Sequence, residues 1–127
     1  MSGARLILDT NAVVALLDGT STVEAEVAEA SFVGISVIAR LEFMAFSGLS
    51  QGDKELFDSF CERAEVIGLE KDDLALQDTA VGLRRDLGLK LPDAIIAATA
   101  LTRKAALVTA DEDFAKIPGL EVVNPIA

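Results

Sequence analysis

Arg5-Leu6-Ile7-Leu8-Asp9-Thr10-Asn11 is the stretch whose reading decides the fold. Three apolar residues in succession, without polar alternation, are what a central parallel strand shows, because helices cover both of its faces. The run stops on a carboxylate. Asp9-Thr10-Asn11 then opens a short helix over Ala12 to Leu17, which Asp18-Gly19 ends. A strand that hands over to a helix in this way puts its acid at the carboxyl edge of the sheet, where open α/β sheets bind ligands.

Working outward, strand and helix signals alternate to the end of the chain. Ser21 and Glu24 read as a capping box that starts a second helix, with Val23, Val27 and Ala30 buried and Glu24, Glu26 and Glu29 facing water. Phe32 to Ile35 is a strand, and Ser36 caps an apolar helix through Phe46. Ser50 to Asp53 opens another helix, on which Leu56, Phe57, Phe60, Cys61 and Ala64 recur at helical spacing. Glu65 to Leu69 is a short strand. The helix from Asp72 to Leu87 buries Leu76, Ala80, Leu83 and Leu87, and Gly88 closes it. Pro92 begins a nearly all-apolar helix to Thr102. Strand Ala106 to Val108 leads into Thr109-Ala110-Asp111, and Leu120 to Val123 is the final strand. There is no linker, repeat or low-complexity segment. With right-handed crossovers this pattern is α/β, a three-layer sandwich with a central parallel sheet, in one domain spanning residues 1–127.

Composition narrows the function. Hydrophobic residues are 51% of the chain but aromatics only 5%, without Trp or Tyr, so Ala, Val, Leu, Ile and six Phe must build the core. No apolar run is long enough to span a bilayer, and Arg5 is followed by only three apolar residues before Asp9, unlike a signal peptide. A soluble, cytoplasmic protein is expected. One Cys forbids an internal disulfide, and the absence of His excludes the usual zinc sites and any histidine-based ribonuclease. The net charge of −10 argues against a non-specific nucleic-acid binder. It suits a metal site, a basic partner, or plain solubility.

Four acids stand out because their settings are otherwise apolar or small: Asp9, Glu42, Asp93 and Asp111. If the first strand and the Ala106–Val108 strand are neighbours, Asp9 and Asp111 meet at one edge. Asp93 opens an apolar, hence buried, helix and points into a cleft. Glu42 is the one acid in Ile38 to Phe46. Each has a plainer alternative: helix cap for Asp9, turn residue for Asp111, dipole partner for Asp93, solvent-facing side chain for Glu42. Two carboxylates about 4 Å apart repel by roughly 4 kcal/mol in a protein's effective dielectric, and a hard cation relieves this. Cys61 fits the buried stripe of its helix and reads as packing.

Four segments in order carry a resemblance. Leu6-Ile7-Leu8-Asp9-Thr10-Asn11, Ile35-Ser36-Val37-Ile38 with Glu42 following, Leu91-Pro92-Asp93-Ala94-Ile95-Ile96-Ala97-Ala98-Thr99-Ala100, and Leu107-Val108-Thr109-Ala110-Asp111-Glu112-Asp113-Phe114 resemble the PIN-domain family. Within it they look most like the VapC-type toxins of toxin–antitoxin pairs. The resemblance implies strand order 3-2-1-4-5 and an acidic pocket that binds Mg²⁺ or Mn²⁺. It implies Asp9, Glu42, Asp93 and Asp111 as catalytic residues, with Asp9, Asp93 and Asp111 as metal ligands and Asp113 in reserve for Asp111. Asn11 and Thr109 match polar positions that line the pocket and orient its carboxylates. The implied activity is metal-assisted hydrolysis of RNA to a 3′-hydroxyl and a 5′-phosphate. The implied partners are the RNA, a small antitoxin and a second copy in a homodimer.

Arg40, Arg84, Arg85, Lys90, Arg103 and Lys104 supply phosphate contacts only if they gather at the pocket; otherwise they are solvated helix surface. Other readings compete. A stand-alone PIN nuclease in RNA processing keeps the chemistry without the antitoxin. A metal-binding receiver domain needs an acidic pair after the first strand, where this chain has Asp9 alone, and an acceptor Asp after the third, where Glu70 is a poor match. A protein that keeps the fold without catalysis is the last alternative.

Overall fold

The computed structural model describes residues 3–127; Met1 and Ser2 lie outside the described residues. In chain order the elements are β1 (Arg5–Leu8), α1 (Thr10–Asp18), α2 (Glu24–Glu29), β2 (Phe32–Ser36), α3 (Val37–Met44), α4 (Gln51–Arg63), β3 (Glu65–Ile67), α5 (Leu74–Leu87), α6 (Leu91–Thr102), β4 (Ala106–Val108) and β5 (Val122–Val123). A short 3-10 turn, Glu112–Lys116, joins the last two strands.

The sheet is parallel throughout, in the order β3-β2-β1-β4-β5, as the resemblance implied. β1 lies at its centre. Its Leu6, Ile7 and Leu8 are all buried. Successive side chains point to opposite faces, so helices must cover both, which gives the three layers. Gly34 on β2 stands beside Ile7 in the register. A Cβ there would come within 2.9 Å of Ile7 Cδ1 and 3.1 Å of Ile67 Cδ1. The missing side chain is what lets two isoleucines fill that layer.

The helices begin where short polar side chains can satisfy free amides. Ser36 accepts from Ile38, Ser50 and Asp53 complete a capping box, and Asp73 accepts from Leu76. Gly88 ends α5 in the left-handed conformation at φ 67°. α6 is buried from Ala94 to Ala100, because α5 packs on one side of it and the sheet on the other. Its buried Thr99 hydroxyl donates to Ile95 O at 2.7 Å and is thereby satisfied. The aromatic part of the core is a stack of Phe43, Phe57 and Phe60, with the first two ring centroids 4.0 Å apart.

Several local expectations are corrected. α2 starts at Glu24 and not at Ser21, because Thr22 is held by Pro125 O through both its amide (2.6 Å) and its hydroxyl (3.1 Å). Ser21 accepts from Val23 in a tight turn instead of capping a helix. Leu56 and Leu87, assigned to buried stripes, are 51% and 37% exposed. β3 stops at Ile67 and β5 starts at Val122, since a short strand extends only as far as its one neighbour pairs with it. Pro92 is the second residue of α6, after Leu91. Cys61 is half-buried and packs against the core. No helix among the described residues is long and apolar enough to cross a membrane.

Candidate active site

β1 and β4 are hydrogen-bonded neighbours with Leu8 opposite Val108, so the residues that follow them emerge side by side at the carboxyl edge. Asp9 continues that ladder through its amide, which donates to Val108 O at 3.0 Å. It is 7% exposed, an ionisable group in a nearly closed position. Its Oδ1 accepts the Thr10 amide at 2.8 Å, which makes it the cap of α1. Its Oδ2 accepts the buried Thr109 hydroxyl at 2.9 Å and Asn11 Nδ2 at 3.4 Å. Asp9 therefore caps α1 with one oxygen, while its other oxygen is held by side chains from α1 and from the end of β4.

Asn11 and Thr109 tie the two strand ends to each other. Asn11 Nδ2 donates to Thr109 Oγ1 at 3.2 Å, and its Oδ1 accepts the Ala110 amide at 2.9 Å. Thr109 Oγ1 accepts the Asp111 amide at 3.1 Å. Asp111 Oδ1 in turn accepts the Asp113 amide at 2.9 Å and caps the 3-10 turn.

Electrostatics shows which acids face one another. Burial pushes the Asp9 carboxyl above its ordinary range; the hydrogen bonds from Thr10 and Thr109 oppose this, and the charges of Asp93 and Asp111 add to it. Glu42 is raised by burial, lowered by its hydrogen bond from Thr10, and raised again by Asp9 and Asp93. Asp93 is raised by burial and by Asp111, eased by Lys90, and raised further by Asp113. Asp9, Glu42, Asp93 and Asp111 thus share one patch of repulsion. Asp111 acts on both Asp9 and Asp93, whereas Asp113 acts on Asp93, so Asp111 is the more central of the two. The Asp93 side chain makes no hydrogen bond among the described residues, and Lys90 is the one cation that eases its charge.

The donor set fits a hard divalent ion: carboxylate oxygens, hydroxyls and amides, with no His and no thiolate at the patch. Among the described residues no three acids are already gathered closely enough to hold one ion. An ion that keeps several of its own waters and takes one or two carboxylates directly, as Mg²⁺ does, needs no closer gathering of acids than this.

Thr10 is the residue that sequence reading passed over. Its amide holds Asp9 and its hydroxyl donates to Glu42 Oε1 at 3.1 Å, so it joins two of the acids. A hydroxyl between Asp9 and Asn11, where α1 otherwise runs apolar, was the available signal. The basic residues do not converge. Lys90 acts on Asp93, but Arg103 pairs with Asp73 at 3.1 Å, Arg84 donates to Leu89 O and Arg40 stands at Cys61. Lys104 lines an open hollow of about 650 Å³ with Arg5, Leu6 and Glu121, and none of Asp9, Glu42, Asp93 or Asp111 lines it.

A five-stranded parallel sheet of this order, with acids collected where β1 and β4 end, defines an α/β protein of the PIN type. The comparisons make this specific: the PIN-domain profile matches residues 6–120, and the chain belongs to the PIN domain family. PIN domains are nucleases and generally use divalent metal ions. Among solved structures, a chain of a toxin–antitoxin complex from Klebsiella pneumoniae is 31% identical, with a TM-score of 0.73 over 94% of this chain and 97% of that one. A chain of VapBC2 from Rickettsia felis, bound to a promoter DNA fragment, is 23% identical with a TM-score of 0.75 over the same shares. A chain of VapBC-1 from nontypeable Haemophilus influenzae is 24% identical with a TM-score of 0.69 over 94% and 96%. The latter two show likeness of fold. No curated protein sequence matches.

Proposed function

We propose that the chain is a VapC-like toxin: a metal-dependent endoribonuclease held in check by a small antitoxin. The observation that carries the reading is Asp9, nearly closed from solvent at the carboxyl edge and facing the charges of Asp93 and Asp111. In this reading Asp9, Asp93 and Asp111 hold Mg²⁺ or Mn²⁺, and Glu42 is a further ligand or orients the attacking water. When bound, the ion lowers the pKa of water and neutralises charge that builds on the phosphate oxygens.

The protein's own residues supply geometry. Thr109 and Asn11 both hold Asp9 Oδ2 and so keep its side chain in one rotamer. Asp93, at the first turn of α6, is favoured there by the helix dipole even while its neighbours repel it. Attack in line with the leaving oxygen gives a 5′-phosphate and a 3′-hydroxyl.

The antitoxin part of the proposal is supported by the Klebsiella pneumoniae neighbour, whose chain comes from a toxin–antitoxin complex and spans nearly the same length. A net charge of −10 suits a basic antitoxin arm. A homodimer in the cytoplasm completes the proposal. The test is cleavage of total cellular RNA with Mg²⁺ or Mn²⁺, against EDTA and Asp93→Asn controls. Discrete cuts that vanish in both controls are expected. Equal cutting by the variant, or none by partner-free parent protein, overturns the reading.

A further inference from the structure

We propose that Thr10 is a positioning residue that fixes Glu42 against Asp9, an inference that rests on the nuclease reading above. Its hydroxyl carries one proton and meets two acceptors, Glu42 Oε1 at 3.1 Å and Ala39 O at 3.3 Å. Both belong to α3, with Ala39 three residues before Glu42. The hydroxyl is therefore docked on that helix at two points. Its backbone amide, meanwhile, holds Asp9 Oδ1 at 2.8 Å. One residue thus clamps acids from two elements that are otherwise separate: Asp9 at the end of β1 and Glu42 on the outer face of α3.

The clamp matters because Glu42 has no other restraint. It makes no second hydrogen bond among the described residues and sits on the exposed side of its helix, beside Leu41 at 53% exposure. A free glutamate there would sample several rotamers, of which few turn toward Asp9 and Asp93. Holding Oε1 leaves Oε2 as the oxygen presented to the pocket. Both contacts are longer than the 2.7–2.8 Å or so usual for hydroxyl donors, as befits one proton shared between two acceptors. A residue acting this way should affect turnover more than substrate affinity, since its hydroxyl proton is directed to Glu42 and Ala39 O.

Thr10→Val keeps the shape and the amide and removes only the hydroxyl; Thr10→Ser keeps the hydroxyl. Each is made alone and with Glu42→Gln, and thermal unfolding confirms that every variant folds. We expect Thr10→Val to lower kcat about tenfold with KM nearly unchanged, the usual size for a hydrogen bond to a partly exposed charged group. Thr10→Ser should restore the parent rate. In the Glu42→Gln background, Thr10→Val should cost markedly less, because the group it positions has already been altered. A full tenfold loss there, or no loss in the parent, overturns the inference.

A second readout does not depend on cleavage. In ¹³C-labelled metal-free protein, the Glu42 carboxyl resonance should move in Thr10→Val and return in Thr10→Ser. An unmoved resonance refutes the clamp whether or not RNA is cut. A parent that cuts nothing refutes the nuclease reading and leaves this measurement to decide the clamp.

Discussion

Replacing Asp93 by Asn should make the metal-free protein more stable and remove the stabilisation that metal brings. Asp93 loses no hydrogen bond on substitution, so the change is almost purely one of charge. Burial and the charges of Asp111 and Asp113 act against its ionised form, while Lys90 favours it. Its place in the first turn of α6 favours it too, by about 0.5 kcal/mol. Repulsion between neighbouring carboxylates at a partly exposed site, reduced by solvent screening, is worth about 1 kcal/mol. The net gain for the neutral variant is therefore about 0.5 kcal/mol, or roughly 2 °C in Tm for a chain of this length. The assay is thermal unfolding in EDTA at low salt, repeated with Mn²⁺. Metal at a hundred times its Kd stabilises the parent by about 2.7 kcal/mol. The order of the two melting points should then reverse, with the parent above. A variant less stable than the parent in EDTA refutes the argument that the acids repel. An equal rise for both proteins with Mn²⁺ refutes Asp93 as a ligand.

Other outcomes follow from the same geometry. Asp111→Asn should lower cleavage about a hundredfold or more, beyond the loss typical of a ligand's supporting partner, whereas Asp113→Asn should stay within a few-fold; the reverse ranking in a rate assay would exchange their roles. Metal-free stability should fall as pH rises above about 4. Asp9, Glu42 and Asp93 all sit above their ordinary values of 3.8, 4.5 and 3.8, so in that window the folded chain binds more protons than the unfolded one. Urea midpoints of the metal-free protein across pH 4–8 check this, and a contribution rising with pH that the triple Asn/Gln variant abolishes would contradict it. Phe57→Ala, at a wholly buried ring stacked on Phe43, should cost about 3–5 kcal/mol in a urea titration. A loss below about 1 kcal/mol would mean that the stack is not part of the cooperative core.

Much of the fold was legible because local chemistry and long-range packing agree. Leu6 to Leu8 and Ala106 to Val108 are strands by composition and central or near-central by pairing. Ser36, Ser50, Asp73 and Gly88 bound their helices by hydrogen bonds that reach only two to four residues. Where the two scales disagree, the sequence misleads. Ser21 and Glu24 have the residues of a capping box, but Pro125, over a hundred positions away, claims Thr22 between them. Leu56 and Leu87 lie at the margins of their stripes, and periodicity does not say how wide a stripe the neighbouring elements cover. For the candidate site, residue type singled out the four acids, but only the register of β1 against β4 puts Asp9 beside Thr109. The hydroxyl of Thr10 was visible beside Asp9, but its partners on α3 were not. The clamp depends on α3 lying against the start of α1, a contact between helices that no local pattern announces.

The hydrogen bond from Thr109 to Asp9 joins residues 100 positions apart. Synthesis at about 5–20 residues per second leaves roughly 5–20 s between their emergence. During that interval β1 has one of its two flanking strands still unmade, and the Asp9 carboxylate lacks the hydroxyl that holds it. An unfinished chain therefore carries the acid without the site. If the protein cuts RNA, a nascent chain cannot yet do so, and its cutting begins only once the strand that precedes Thr109 has docked.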